Sequence, residues 1–502
     1  MNSVERWGMF EAEIRGPEGG NPFLEHNIQG IFRHQQEEIC TDGFYDGNGV
    51  YKVRCMPSFE GIYHYQIQAD FLETNFEGEF EVTSAGKGNH GPVRVADTWH
   101  FAYEDGTPYY SVGTTCYVWN HQSDDLIMQT LASLKEAGFN KLRFCIFPKH
   151  FYYNLNEPRS YPYEGTPMDN SILTADNLQE FDGTNTENHF DLFRFNPAHF
   201  QHIEYCIREL QKLGVEADLI MMHPYDRWGF SCMSEEQDNL YWNYAVARFS
   251  AYRNVWWSMA NEYDLLCQKT VMDWERYASI LCKKDPYRHL RSIHHCIHSY
   301  DYSRPWITHA SIQGNPVNVD ALRTSYRKPV VMDEMGYEGN IEHTWGNISG
   351  REMNDRLWET VCRGGYPGHG ETYLHPKDIL WWSHGGMLHG ESWKRINFLR
   401  KILEETPEHG LTLERNLYGV LVAAPERECG PFGTAVKSYY IYYYGRTQPA
   451  FTDIMIDEET SYQVEVIDTW EMTIRDAGIY KGRIRIALPG TEYMAVRLKR
   501  IS

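Results

Sequence analysis

Residues 197–222 read PAHFQHIEYCIRELQKLGVEADLIMM, and the hydrophobic period changes once within them. Ile203, Ile207 and Leu210 recur at three- and four-residue steps, which predicts an amphipathic helix over 197–213. The apolar run over 216–222 that follows has the length of a buried strand. A helix feeding a buried strand is the repeating unit of parallel α/β architecture, and the unit recurs in both directions. Upstream stand a strand over 109–113, a helix over 124–137 and a strand over 141–147. Downstream come a helix over 239–252, a strand over 255–260, a helix over 274–282, strands over 290–294, 306–310 and 329–333, a helix over 352–362 and a last strand over 366–373. Eight strands in this order predict a TIM (β/α)8 barrel. Residues 151–186, rich in Tyr, Asn, Pro and Asp, interrupt the pattern after the second strand. An insertion there lies on the C-terminal face, where barrel active sites are built.

Outside the barrel the pattern shortens to period two. Residues 4–83 hold alternating runs such as Phe10-Glu11-Ala12-Glu13-Ile14 and Gly61-Ile62-Tyr63-His64-Tyr65-Gln66-Ile67, separated by turn residues. Residues 438–444, 462–467, 482–488 and 494–498 repeat the habit near the other end. The expected organisation is an N-terminal β-sandwich over 1–95, the barrel over 96–408 and a C-terminal β-sandwich over 409–502.

Bulk properties exclude several kinds of partner. Forty-seven Lys and Arg against 69 Asp and Glu leave a net charge of -22, which repels phosphate backbones and anionic lipid. Nucleic acid and membranes are therefore not expected partners, and no apolar run approaches the roughly 20 residues that span a bilayer. Met1-Asn2-Ser3-Val4-Glu5-Arg6-Trp7 lacks a basic segment followed by an apolar one, so a cytoplasmic location is expected. Eleven cysteines without CxxC pairs read as reduced thiols rather than a disulfide framework. Aromatic residues make up 15% of the chain, 35 of them Tyr and 15 Trp. That suits a carbohydrate site, because sugar faces stack on such rings, and it equally suits a Tyr-rich surface.

Two strand ends carry the chemistry. Trp256-Trp257-Ser258-Met259-Ala260-Asn261-Glu262-Tyr263 is an apolar strand that stops in an amide and a carboxylate. Pro329-Val330-Val331-Met332-Asp333-Glu334-Met335-Gly336 stops the same way three strands later. Glycoside hydrolysis needs two carboxyl groups flanking the scissile bond, about 5 to 5.5 Å apart when the anomeric configuration is retained. Either glutamate alone could be a helix cap or an ion-pair partner. Together they point to an acid/base, Glu262, and a nucleophile, Glu334.

This arrangement resembles the clan A glycoside hydrolases, whose barrels carry an Asn-Glu acid/base at the end of strand four and a nucleophilic Glu at the end of strand seven. More closely it is similar to the apiosidase-like and cellulase-like barrels that carry an immunoglobulin-like module in front and another behind. In those relatives the first strand tends to read Gly-Asp-Thr-Ala-Trp, whereas here Gly113-Thr114-Thr115-Cys116-Tyr117 stands in its place. The resemblance implies a retaining enzyme acting on oligosaccharides or small glycosides without a cofactor or metal. It further implies that Arg143 supports the nucleophile, and that Asn261 bonds the sugar 2-hydroxyl. His223 either donates to a sugar hydroxyl or is a core histidine bonded to a carbonyl. Tyr117, His309, Gln313, His369, Glu371, Trp381, Trp382 and His384 are further substrate-binding candidates, each with packing as its alternative role.

Two other functions are compatible with a barrel. A metal-dependent hydrolase is suggested by 22 histidines, among them His223, His294, His295, His298 and His309 near strand ends, but the HxH and HExxH spacings are absent. A non-catalytic carbohydrate-binding barrel is the second, since fold does not dictate activity, although a lectin has no need of both glutamates. The oligomeric state and the identity of the sugar are left open.

Overall fold

A computed structural model of the chain describes residues 2–375, 379–426 and 437–501. Its centre is a parallel eight-stranded sheet: β1 (Gly113–Thr115), β2 (Lys141–Cys145), β3 (Glu216–Ile220), β4 (Val255–Ser258), β5 (Arg291–Ser292), β6 (Ala310–Gln313), β7 (Val330–Glu334) and β8 (Tyr366–His369). Neighbours run in the order 5-4-3-2-1-8-7-6. A parallel bridge between His294 and Ser311 joins the two ends into a barrel. Because both faces of such strands are covered, they read as unbroken apolar runs, and every residue of β2, β3, β4 and β7 is buried.

Helices enclose the barrel: α1 (Asp124–Ala137), α2 (Pro197–Lys212), α3 (Glu235–Phe249), α4 (Val271–Lys284), α5 (Val319–Tyr326), α6 (Gly350–Cys362) and α7 (Ile396–Glu404). Their starts are chemically marked. Ser234 caps α3 in a capping box with Gln237, Ser123 caps α1 and Ser349 caps α6, each hydroxyl accepting from an amide of the first turn. These caps set the helix starts a few residues ahead of the hydrophobic periodicity for α3 and α6. α5 was not anticipated, being only eight residues long.

Two strand expectations are corrected. The first strand begins at Gly113 rather than Tyr109, because Tyr109 is taken by the lead-in hairpin: its amide bonds Phe101 O at 3.1 Å and its hydroxyl bonds Asn140 O at 2.8 Å. The sixth begins at Ala310 rather than Trp306, whose indole instead donates to Glu275 on α4 at 3.2 Å. The hairpin Val93–Ala96 with His100–Tyr103 closes the N-terminal end of the barrel. There Phe101 meets Trp256 and Tyr366 at ring separations of 5.2 and 4.8 Å.

Among the described residues the flanking regions are β apart from one short helix, Pro22–Glu25. Residues 2–83 form a five-stranded and a three-stranded sheet around one core that includes Phe10, Phe32, Val53, Tyr63 and Phe80. Buried Arg54 ties this region to the barrel, bonding Glu204 of α2 at 2.7 Å and the Arg248 carbonyl at the end of α3 at 2.6 Å. Burial works against the Glu204 carboxylate, yet Arg248 and Arg54 hold it down at about 2. The C-terminal region has a six-stranded sheet and a two-stranded ribbon, and Tyr443 anchors it by donating to Asp355 of α6 at 2.7 Å. A cleft of about 810 Å³ opens between the N-terminal sheets and helices α3 and α4, and neither Glu262 nor Glu334 lines it.

Candidate active site

Glu334 is the last residue of β7, and Glu262 stands four residues past β4. The β4 tip is kept straight by backbone bonds to both neighbours: Asn261 N to Met222 O at 2.9 Å, His294 N to Ala260 O at 3.1 Å and Tyr263 N to His294 O at 2.9 Å. At Glu262 the backbone turns into the left-handed region, with φ of 49°. A non-glycine residue pays strain for that conformation, and such strain concentrates at functional sites. Both carboxylates are nearly enclosed, 6% and 7% exposed.

One connected set of hydrogen bonds joins them. Arg143 Nη1 donates to Glu334 Oε1 at 3.2 Å and to Asn261 Oδ1 at 2.7 Å. The Tyr117 hydroxyl donates to Glu334 Oε1 and lies 3.2 Å from Asn261 Oδ1. Asn261 Nδ2 then donates to Glu262 Oε2 at 3.0 Å. Tyr225 also donates to Glu262 Oε2, and Gln313, with its amide nitrogen facing inward, reaches Glu262 Oε1 at 3.3 Å. His294 Nε2 approaches Glu334 Oε1 at 3.3 Å, while its Nδ1 faces Ser311 Oγ at 3.0 Å and that hydroxyl donates to Asp333 at 2.5 Å. Burial by itself would raise the Glu334 carboxyl. His294, Arg143 and Tyr117 together overturn that and hold it well below the usual carboxylate range. An ionised, desolvated carboxylate at a strand tip is the state a nucleophile requires.

Beneath the acids the barrel interior is charged and matched. Lys141 Nζ bonds Asp218 and Asp333, each at 2.7 Å. Above them the mouth is aromatic: Tyr117 meets Trp382 edge-on at 5.4 Å, Phe151 meets Tyr225 at 4.8 Å, and Trp345 lies 5.2 Å from Trp382. Phe151 belongs to the insertion after β2, which does reach this face.

The other sequence candidates separate cleanly. Arg143, Asn261, Tyr117, Gln313 and Trp382 gather around the two glutamates. His223 lies close by, bonded through Nε2 to Phe147 O at 3.3 Å with Nδ1 unpartnered, and burial lowers its ring to about 3, so it is neutral. Five residues are held by partners other than the acids. His309 precedes β6 and so sits at the wrong end of the barrel, against Phe101 and Trp256. His369 bonds Ser392 Oγ at 3.1 Å and packs on Phe139. Glu371 accepts from the amides of His389 and Gly390. Trp381 donates to Thr114 Oγ1 at 3.0 Å, and His384 bonds Asn154 at 2.8 Å. Among the described residues one group has metal-ligand spacing, Glu338 with His369 and Glu371. Its carboxylates are already satisfied by the 389–392 amides and the Ser392 hydroxyl. Sequence reasoning missed Tyr225, Lys149 and the His294–Ser311 link to Glu334. All lie in or beside strand-end loops where no periodicity marks them, although His223-Pro224-Tyr225 at a strand end was a usable signal.

A (β/α)8 barrel with glutamates at the ends of strands four and seven, bridged by an Asn and an Arg, has the architecture of clan A glycoside hydrolases. Family comparison agrees: residues 96–407 match the apiosidase-like catalytic domain, so the chain belongs to that family and is a glycosidase. Residues 3–70 and 429–499 match two domains of unknown function, DUF5060 and DUF5605. A "putative glycoside hydrolase" of known structure from Bacteroides vulgatus ATCC 8482 is similar over 100% of both chains, at 36% identity and a TM-score of 0.90. A glycoside hydrolase family 5 protein from the same organism shares the fold at 13% identity and a TM-score of 0.60, over 83% of this chain and 95% of its own. No curated protein sequence matches the chain. No described helix is long and apolar enough to cross a membrane.

Proposed function

We propose that the protein is a retaining exo- or oligosaccharide-acting glycosidase that works by double displacement, with Glu334 as nucleophile and Glu262 as acid/base. The observation that carries this is the asymmetry of the two carboxylates. Glu334 receives Arg143, His294 and Tyr117 and is held ionised. Glu262 is hydrogen-bonded by the neutral groups Asn261, Tyr225, Gln313 and Cys296, with no ion pair among the described residues. The ionised member attacks the anomeric carbon as Glu262 delivers its proton to the departing oxygen. Glu262 then takes a proton from water, which attacks the glycosyl-enzyme and restores Glu334. Asn261 is fixed by Arg143 and Tyr117, which suits it to meet the sugar 2-hydroxyl without rearranging.

In this reading the β regions over 1–95 and 409–502 are immunoglobulin-like sandwiches without catalytic residues, and 96–408 is the catalytic unit. A cytoplasmic enzyme of this kind would meet imported oligosaccharides or small glycosides, and the chemistry calls on no metal. The test is azide rescue. Glu334→Ala is expected to abolish turnover and to yield a glycosyl azide of inverted configuration. Glu262→Ala keeps the first step on activated aryl glycosides, and azide then gives the retained product. Opposite stereochemistry in the two variants would reverse the roles, and zinc-restorable loss of activity in EDTA would replace the mechanism.

A further inference from the structure

One charge at the mouth has no counterpart. Lys149 lies four residues past β2 and is 3% exposed. Its ammonium meets ring faces only: Tyr117 at 3.4 Å to the centroid, Tyr225 at 4.2 Å, Trp382 at 4.6 Å and Phe151 at 5.7 Å. Among the described residues no oxygen accepts a hydrogen bond from it and no carboxylate pairs with it. Aromatic faces attract a cation, but they fill none of its three N–H donor positions with an acceptor. A buried charge left this way is costly unless an anion completes it.

The neighbouring cations already have carboxylate countercharges. Arg143 Nη1 is engaged by Glu334 and Asn261, while its Nε and Nη2 are unpartnered but fully buried, and Lys141 is held by two aspartates. Lys149 is the buried cation of the mouth whose ammonium has neither a hydrogen-bond acceptor nor a paired carboxylate among the described residues. Its position is equally specific. The two nearest rings belong to Tyr117, whose hydroxyl is on Glu334, and Tyr225, whose hydroxyl is on Glu262. A sugar that touches both acids therefore lies within reach of the side chains that surround Lys149.

We propose that Lys149 is the specificity residue of this site and takes the carboxylate of a uronic acid. This rests on the glycosidase reading above and names its substrate class. A sugar hydroxyl would fill one donor position and leave the charge unanswered, whereas a carboxylate supplies both acceptors and countercharge. The net charge of -22 opposes an anionic ligand at long range, but that repulsion is screened beyond about 8 Å in physiological salt while a buried pair is not.

The experiment has a binding arm and a kinetic arm. In the first, Glu334→Gln protein and the Glu334→Gln, Lys149→Met double variant are titrated with free glucuronate, galacturonate and mannuronate and with the matching neutral sugars. At least one uronate is expected to raise the Tm of the single variant, and none that of the double variant. In the second, kcat/KM is measured for aryl glycosides paired as uronide and neutral sugar. The uronide-to-neutral ratio is expected to be about 10- to 100-fold in the wild type, to collapse toward one in Lys149→Met through KM, and to be partly kept by Lys149→Arg. Uronate binding without any turnover would sink the glycosidase reading and keep the assignment of Lys149. Turnover with a wild-type preference for the neutral member, an unchanged ratio in Lys149→Met, or no uronate bound by the Glu334→Gln protein would each overturn the proposal.

Discussion

Two buried lysines eight positions apart in one strand and its loop meet opposite surroundings. Lys141 opens β2 in the barrel interior, where Asp218 and Asp333 close on it at 2.7 Å each. Lys149 follows β2 at the mouth and meets rings alone. Burial depresses both ammonium groups. At Lys141 the two aspartates more than reverse it and its pKa is raised, while at Lys149 burial wins and the value falls to about 8. The interior matches its charges because it must hold a shape. The mouth leaves one unmatched because a ligand completes it.

The comparison breaks most visibly at Lys141. Lys141→Met leaves two buried aspartates facing each other without a cation and is expected to cost about 3–5 kcal/mol of stability in chemical denaturation. A loss under about 1 kcal/mol would show that the interior charges are not a matched set. Next in size is Tyr117→Phe, which removes the hydroxyl shared by Glu334 and Asn261. Hydrogen bonds to a charged group are worth about 1.5–3 kcal/mol, so kcat/KM should fall by about 10- to 150-fold. The sign of the pH effect also follows. Glu334 is depressed and must be ionised, so activity persists to low pH and is lost as pH falls through its folded value. Removing a donor raises that value and moves the acidic limb upward. An unshifted limb would mean that Tyr117 does not act on the nucleophile.

Ser234→Ala, which deletes the cap of α3, should cost about 1 kcal/mol and leave the pH profile unchanged. Lys149→Met is expected to lose nothing and to be at least as stable as the wild type at neutral pH, since it removes an unpaired buried charge. The lysine is depressed from 10.5 to about 8, so the unfolded chain binds the extra proton between those values. Its destabilising contribution is full below about pH 8 and fades as pH rises toward 10.5. The advantage of Lys149→Met should shrink over that window. Glu262, Glu334, Arg143, Cys145, His223, Tyr117 and Tyr225 are titratable groups that face or act on Lys149, and all are common to both proteins. A lysine variant less stable than wild type by several kcal/mol would show that the rings alone satisfy the charge.

The same contrast marks what the sequence makes legible. Glu262 and Glu334 were readable because each ends a buried run abruptly, and the barrel was readable from strands that alternate with amphipathic helices. The roles of Arg143 and Asn261 came from the resemblance to the clan A barrels rather than from any spacing in this chain. β1 was read four residues early because Tyr109-Tyr110-Ser111-Val112 is more strand-like than Gly113-Thr114-Thr115, yet the hairpin at the barrel floor captures Tyr109. His309 misled for a related reason: an early start for β6 exchanges its two ends, and with them the floor and the mouth. Lys149 could not be singled out, because a loop gives no period and only the closed barrel brings it beside the acids, while Tyr225 had only its place just past a strand end to mark it.

The central claim is that Glu334 attacks the sugar directly, so that two inversions restore its configuration. Proton NMR of the first anomer released by the wild-type enzyme, from whichever aryl glycoside it cleaves and before mutarotation, tests this most directly. The account predicts the configuration of the substrate. An inverted first product would contradict it, because Glu334 would then be activating water rather than forming a covalent intermediate.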